Sequence, residues 1–219
     1  MNLEYVQPAD IEKRSFQIIE SELGGVQIPE DIKPIVFRAI HTTADFDYLE
    51  NLYFSENAIG TALETIMNGA VIVTDTNMAK SGINKAALAR NNCECVCYMA
   101  DEDIIRKAKN DGTTRACASV DKAASLEKPV IYVVGNAPTA LVRLCEHIDK
   151  GDFIPRFVIG VPVGFVNVVQ SKEMLIASGI PCIVARGRKG GSNVAAAICN
   201  ALLYMIDAKN KCISERKLS

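Results

Sequence analysis

The chain has 219 residues, a formal net charge of −2 and a hydrophobic fraction of 49%. This length and composition are typical of one soluble globular domain and exclude a disordered or fibrous chain. The small net charge argues against nucleic acid or an anionic membrane as a partner, and no apolar run approaches the ~20 residues of a membrane-spanning helix.

The eight cysteines indicate reduced thiols rather than a disulfide framework. They stand mostly in apolar segments, there is no CxxC pair, and only two histidines are available to complete a metal site. The N-terminal residues mix acidic and basic side chains and lack the apolar region of a signal peptide. We therefore expect a cytoplasmic protein without a bound metal.

The first ~65 residues predict helices with no strand between them. Helical patterns cover residues 11–23, 29–43 and 55–69. No linker, repeat or low-complexity tract divides this portion from the rest of the chain. We expect it to pack onto the remainder of one domain that spans residues 1–219.

Five short apolar runs then predict strands, at residues 70–75, 95–100, 129–138, 156–165 and 181–187. Several lack alternation between apolar and polar residues, which is typical of strands buried on both faces of a parallel sheet. Helices are predicted at 101–112, 137–151 and 171–179, with Ser171 as a candidate N-cap, and from Gly191 and Ser192 through Tyr204. The fold class is therefore α/β, a mainly parallel β-sheet flanked by helices with a helical N-terminal portion. The pattern leaves the strand order open.

Ligands of such sheets gather where the strands end and loops lead into helices. This rule selects residues 75–78, 135–137, 162–165 and 186–193. In the last of these, Gly190 and Gly191 precede Ser192 at a helix start, where backbone N–H groups can face an anion. Arg186, Arg188 and Lys189 would add mobile positive charge, or they merely point into water beside a capped helix. The spacing is not that of a nucleotide-binding P-loop.

His41 follows an apolar helical run and precedes a polar break, so we expect it at a helix C-terminus. There the helix dipole favours the imidazolium, as would Asp45 or Asp47 if either folds back. Such a histidine could donate a proton to a substrate. The alternative is a structural histidine satisfied by a backbone carbonyl. The other histidine, His147, is predicted on a helix surface.

Three further residues each admit two interpretations. Ser15 interrupts an apolar helical face, either to contact a ligand or to bond back to the preceding turn. Arg115 could clamp a carboxylate or be a solvated residue at a helix start. Asp75, at a strand end, could bond a ligand nitrogen or cap the next helix.

Six segments together resemble the precorrin-8X methylmutase family, and in particular its branch acting on cobalt-bearing substrate. They are RSFQIIESE, AIHTTADFDY, VTDTNMAKSGI, GNAPTAL, GVPVGFVNVVQSKE and ARGRKGGSNVAAAICNAL. The resemblance covers almost the entire chain in the same order. It implies migration of a methyl group from ring carbon 11 to ring carbon 12 of a tetrapyrrole, a formal [1,5]-sigmatropic shift that requires no cofactor.

The resemblance also assigns roles. The acid is the histidine that matches His41, and Ser15 and Arg115 stand where the family contacts its substrate. Because the tetrapyrrole carries many carboxylate arms, we add the backbone around Gly190, Gly191 and Ser192 as predicted donors to those arms or to the ring edge. Asp75 is a further predicted substrate contact. The resemblance further implies a homodimer with the site near the subunit contact. Two alternatives are a non-catalytic corrinoid carrier and a nucleotide-binding domain.

Overall fold

A six-stranded β-sheet forms the centre of the computed structural model, which describes residues 3–216 and the side chains of residues 3–210. In chain order the strands are β1 (Leu52–Phe54), β2 (Val71–Thr74), β3 (Glu94–Val96), β4 (Val130–Val134), β5 (Phe157–Gly160) and β6 (Cys182–Ala185). Across the sheet they follow the order β1-β6-β5-β4-β2-β3. β1 runs antiparallel to β6, and the other neighbouring pairs are parallel.

Helices cover both faces of this sheet. They are α1 (Ile11–Glu22), α2 (Lys33–Thr43), α3 (Tyr48–Asn51), α4 (Ala58–Met67), α5 (Asn77–Gly82), α6 (Lys85–Arg90), α7 (Glu102–Asn110), α8 (Arg115–Ala123), α9 (Pro138–Lys150), α10 (Val168–Ala177) and α11 (Ser192–Arg216), with a 3₁₀ turn at Pro8–Asp10. Helices α4, α5, α6 and α11 pack on one face, and α8, α9 and α10 pack on the other. Helix α2 packs on α11, and α1 packs on α2. Helices α1 and α2 therefore form an outer layer on the face of the sheet that α11 covers.

Alternate side chains of the strands enter two separate hydrophobic cores. Ile131 and Ile159 belong to the core that contains α11, whereas Tyr132 and Val158 belong to the core that contains α9. Successive side chains of a strand point to opposite faces, so each strand contributes to both cores. This double burial explains why the central apolar runs show no alternation.

The mainly parallel α/β fold and the five predicted strands are confirmed, but the expectation of no strand in the first ~65 residues is wrong. β1 lies there and pairs with β6, with Leu52 opposite Ala185 and Phe54 opposite Ile183. It has three residues and two of its side chains are only half-buried. A strand this short at a sheet edge carries too few residues for its hydrophobic periodicity to be recognised.

Two helix boundaries also differ from the predictions. Ser171 is not an N-cap, because α10 begins at Val168 and the Ser171 hydroxyl donates to the Val168 carbonyl at 3.0 Å. Helix α11 continues well past Tyr204, to Arg216. Within residues 3–216, no helix has the length and apolar character needed to cross a membrane.

Candidate functional site

His41 lies in the last turn of α2, as predicted, and its side chain is exposed. Ala44 ends the helix in the left-handed conformation, with φ of 52°, and its N–H bonds to the Ile40 carbonyl at 2.7 Å. The imidazole packs edge-on against the ring of Phe16, with 5.5 Å between the ring centroids. Helix α1 therefore fixes the ring by packing while the side chain stays accessible to a ligand.

Two open cavities share His41 as part of their walls. The first, of about 230 Å³, lies between α1 and α2 and is lined by Ser15, Ile18, Ile19, Glu22, Ile40, His41, Ala44 and Phe46. The second, of about 290 Å³, lies between α2 and the first turns of α11 and is lined by Arg38, His41, Thr42, Gly82, Asn193, Ala196, Ala197 and Asn200. His41 thus stands between an apolar surface and a group of hydrogen-bond donors.

The structure brings Ser15 and His41 to the same cavity. The Ser15 hydroxyl donates to the Ile11 carbonyl at 2.9 Å, which is the back-bond expected as one of its two interpretations. A hydroxyl that donates still has lone pairs able to accept a bond from a ligand. Its role in substrate contact stays a prediction.

Asp45 and Asp47, which would favour the imidazolium only if one of them folded back onto His41, do not do so. Both carboxylates pair instead with the Lys189 ammonium, each with an Oδ2–Nζ distance of 2.6 Å. Lys189 belongs to the loop between β6 and α11, so this pairing ties that loop to the turn that follows α2.

Asp75 is buried, and both of its carboxylate oxygens accept bonds from the loop that follows β4. Gly135 N–H donates to Oδ1 at 2.8 Å, and the N–H groups of Asn136 and Ala137 donate to Oδ2 at 2.8 and 2.7 Å. Burial raises the pKa of Asp75, although these three bonds act in the opposite direction. The interpretation of Asp75 as a cap of the next helix is wrong, because Thr76 caps α5 by accepting from Ala79 N–H.

The crevice beyond the carboxyl ends of β2 and β4 is filled by the protein itself. These strands are neighbours whose following connections diverge, which is where ligands of open α/β sheets usually bind. The Ser192 hydroxyl lies 2.7 Å from the Thr76 hydroxyl, and a Cβ added to Gly135 would lie 2.8 Å from the Ser192 Cα. The start of α11 therefore closes this crevice, and the two cavities that His41 lines lie further out, beside α2.

The two glycines before α11 allow a close approach between two segments of the chain. A Cβ on Gly190 would lie 2.1 Å from the Val161 carbonyl oxygen. Gly191 N–H donates to that same oxygen at 2.9 Å. The backbone approaches Val161 rather than open space, so the role of these glycines in binding an anion stays a prediction.

Two of the three basic side chains of this loop, Arg186 and Lys189, form ion pairs with acidic side chains. Arg186 pairs with Glu173 at 3.2 Å and lies over the ring of Tyr53. Arg188 lies over the ring of Phe165, with 5.4 Å from Cζ to the centroid. With Lys189 paired to two aspartates, the expectation of free positive charge is wrong for Arg186 and Lys189.

Arg115 lies on the other face of the sheet from His41. It begins α8, whose buried residues join the core containing α9, whereas α2 joins the core containing α11. Its Nη1 donates to the Met99 carbonyl at 3.3 Å, and the side chain is otherwise exposed. Within the described part of one chain, Arg115 is thus not brought into the cavities beside His41.

Arg38 and Asn200, which line the second cavity, were not predicted from the sequence. Arg38 is one helical turn before His41, pairs with Glu12 at 2.7 Å and stacks over Tyr204. Asn200 accepts from Asn84 N–H. Asn193, which lies in the predicted range 186–193, lines the same cavity. The i, i+3 spacing of Arg38 and His41 was an available signal, because residues at that spacing share a helix face.

Lys172 was also missed, because a lysine in a helix is expected at the surface. It is fully buried on α10, and its ammonium donates to the carbonyls of Gly187 and Lys189, both at 2.8 Å. Burial lowers its pKa to about 8.

His147 is not the simple surface residue that was predicted. Its ring nitrogens contact the carboxylates of Asp121 at 2.9 Å and Asp152 at 2.5 Å. The seven cysteines whose side chains are described are free thiols. In the described part of the chain, no three His, Cys, Asp or Glu side chains are grouped as metal ligands.

Comparisons with known proteins agree on one family. The family model described as precorrin-8X methylmutase matches residues 10–205. The chain is 48% identical over 204 residues to the cobalt-precorrin-8 methylmutase of Salmonella typhimurium, covering 90% of this chain and 95% of that protein. It is 40% identical over 203 residues to the protein of the same name from Priestia megaterium, covering 93% and 90%. The solved structure of precorrin-8x methyl mutase from Thermus thermophilus superposes with a TM-score of 0.84 at 37% identity, covering 91% of this chain and 98% of that one.

Proposed function

The chain belongs to the precorrin-8X methylmutase family, and we propose that it moves a methyl group from ring carbon 11 to ring carbon 12 of its tetrapyrrole. It is an enzyme of the isomerase class, a methylmutase of cobalamin biosynthesis. The proposed substrate is cobalt-precorrin-8 or metal-free precorrin-8X, and the product is cobyrinic or hydrogenobyrinic acid. The observation that carries the proposal is the accessible His41 between an apolar cavity and a polar one.

His41 acts as the acid in this proposal. A [1,5]-sigmatropic shift breaks and forms carbon–carbon bonds within one molecule, so it needs neither an oxidant nor a nucleophile. A proton donated to the ring system favours the tautomer in which the methyl group can migrate. The packing of His41 against Phe16 holds the imidazole in one orientation, which lowers the entropic cost of proton delivery.

The two cavities together match the chemistry of the substrate better than either does alone. Sites for ligands of drug size usually measure about 300–1,000 Å³, and each cavity here is smaller. We assign the apolar cavity to the face of the macrocycle, with Ser15 at its edge. The polar cavity, with Arg38 and Asn193, receives carboxylate arms. Asp75 and Gly190 act by shaping the loops around the site.

A homodimer accounts for the openness of these cavities and for the separate position of Arg115. We propose that a second subunit covers the site and that Arg115, exposed at the start of α8, binds a carboxylate arm in the assembled enzyme. The cobalt-bearing substrate is favoured because the relatives from Salmonella typhimurium and Priestia megaterium are named for it. We also propose that the enzyme acts in the cytoplasm, consistent with its free thiols.

The decisive experiment replaces His41 by Ala and follows the absorbance spectrum of the coloured precursor during incubation with protein. We expect binding to persist while the rate of conversion falls at least about 100-fold, which is the usual contribution of a general acid. The matched control is His147→Ala, which removes the other histidine, on the far side of the sheet.

Two results would contradict the proposal. Undiminished conversion by the His41→Ala protein would remove His41 from the mechanism. Tight binding of cobalt-loaded and metal-free precursors by the unaltered protein, with conversion of neither, would identify a corrinoid carrier instead.

A further inference from the structure

A buried lysine without an acidic partner holds the loop before α11. Lys172 is 0% exposed, and its ammonium donates to two carbonyls of that loop, those of Gly187 and Lys189. Within residues 3–210, no carboxylate lies within ion-pair distance of it. Burying a charge without a counter-charge is costly, and an apolar side chain of similar length would fill the same volume. Unlike an apolar side chain, the ammonium holds two carbonyl groups in fixed positions by hydrogen bonds.

The loop that Lys172 holds extends to the turn beyond His41. Fixing the Lys189 carbonyl sets the direction of the Lys189 side chain, whose ammonium lies 2.6 Å from both Asp45 Oδ2 and Asp47 Oδ2. These aspartates follow His41 by four and six residues. The turn is also braced internally, because Asp47 N–H donates to Asp45 Oδ1 at 3.1 Å.

We propose that Lys172 is a positioning residue that acts through Lys189 to hold the end of α2, and with it the His41 side chain. The proposal rests on the acid role of His41 given above. Neither lysine touches His41. Lys172 fixes the loop, the loop directs Lys189, and Lys189 anchors the turn that ends the histidine-bearing helix.

The first test observes His41 without any substrate. The chain has two histidines, so a protein carrying isotope-labelled histidine gives one set of ring signals from His41 and one from His147. His147 is held by Asp121 and Asp152 on another part of the chain and serves as an internal reference for folding. We expect Lys172→Met and Lys189→Met each to move or broaden the His41 signals while those of His147 stay in place.

The matched control is Lys122→Met. Lys122 also bridges two aspartates, Asp101 and Asp103, at 2.8 Å each, but it lies on α8 in the opposite layer. This change should leave the His41 signals where they are. Unchanged His41 signals in folded Lys172→Met protein would overturn the proposal. If that variant does not fold, unchanged signals in Lys189→Met, which alters an exposed side chain, would overturn it equally.

The second test is a double-mutant cycle on methyl transfer. We expect either single change to lower kcat about 10-fold to 100-fold while KM changes by less than about twofold, because a displaced acid slows the chemical step more than binding. If Lys172 acts through Lys189, the double variant is no slower than the slower single variant. Losses that multiply would show that Lys172 acts independently and would overturn the proposal. An unaltered protein without methylmutase activity would contradict the proposed function, while the histidine signals would still decide the positioning role.

Discussion

Replacing Gly190 by Ala tests whether contact between two segments of the chain shapes the loop before α11. The added Cβ would lie 2.1 Å from the Val161 carbonyl oxygen and 2.8 Å from that of Pro162. Both are backbone atoms, so no side-chain rotation can relieve the overlap. The Val161 oxygen also accepts the Gly191 N–H at 2.9 Å, and displacement would break this bond.

The magnitude follows from a comparison with Gly179→Ala. Gly179 has φ of 73° and no atom within 4 Å of an added Cβ, so its replacement carries the backbone cost alone, about 1–2 kcal/mol. Gly190→Ala adds an overlap of about 1–3 kcal/mol and a lost hydrogen bond of about 1 kcal/mol. We expect it to lower the free energy of unfolding by about 2–4 kcal/mol more than Gly179→Ala does.

Urea unfolding followed by circular dichroism measures this difference. For a chain of this size the m-value is about 3 kcal/mol per molar urea, so the midpoint of Gly190→Ala should lie about 1 M below that of Gly179→Ala. Equal midpoints with unchanged m-values would refute the reasoning, because they would show that the loop before α11 can move away from Val161 without loss of stability.

Three further predictions concern buried polar groups and are measured by the same unfolding method. The Tyr132 hydroxyl is buried and has no hydrogen-bond partner among the described residues, so Tyr132→Phe should raise the free energy of unfolding by about 1 kcal/mol, and a loss of stability would contradict this. Asp75→Asn turns an amide N–H₂ towards a backbone N–H, so it should lower the free energy of unfolding by about 1–3 kcal/mol; no loss would mean that the loop after β4 does not depend on both oxygens. Lys172 has its pKa lowered from 10.5 to about 8 by burial. Between pH 8 and pH 10.5 the folded chain therefore releases this proton while the unfolded chain keeps it. As the pH rises through this range, the free energy of unfolding of the unaltered protein should increase, relative to that of Lys172→Met, by as much as about 3 kcal/mol. A difference that stays flat over this range would show that Lys172 does not titrate there.

The central fold could be predicted from sequence because the buried strands are continuous apolar runs, such as residues 129–138, separated by helical patterns. Strand order depends on contacts between distant segments and leaves no local signal. β1 escaped recognition for a related reason, since its three residues form a strand only by pairing with β6. The start of α10 was misplaced because Ser171 resembles an N-cap, yet its hydroxyl bonds within the helix instead.

The position of His41 at the end of α2 followed from its polar surroundings, but its neighbours could not be derived in the same way. Asp45 and Asp47 are close to His41 in sequence, and their partner, Lys189, comes from the far end of the chain. The charge of a lysine predicts that it is exposed, so the burial of Lys172 could not be predicted from the sequence. What a side chain pairs with depends on the tertiary structure, and the sequence pattern contains only its chemical type.

Both margins of the sheet are three-residue strands, β1 on one side and β3 on the other. An unpaired strand edge can recruit an edge from another molecule, but three residues offer too few backbone groups for a lasting ladder. Continuation of the sheet from one molecule into the next is therefore disfavoured at either margin. The homodimer proposed above would therefore form through helices and loops rather than by joining the two sheets at their margins.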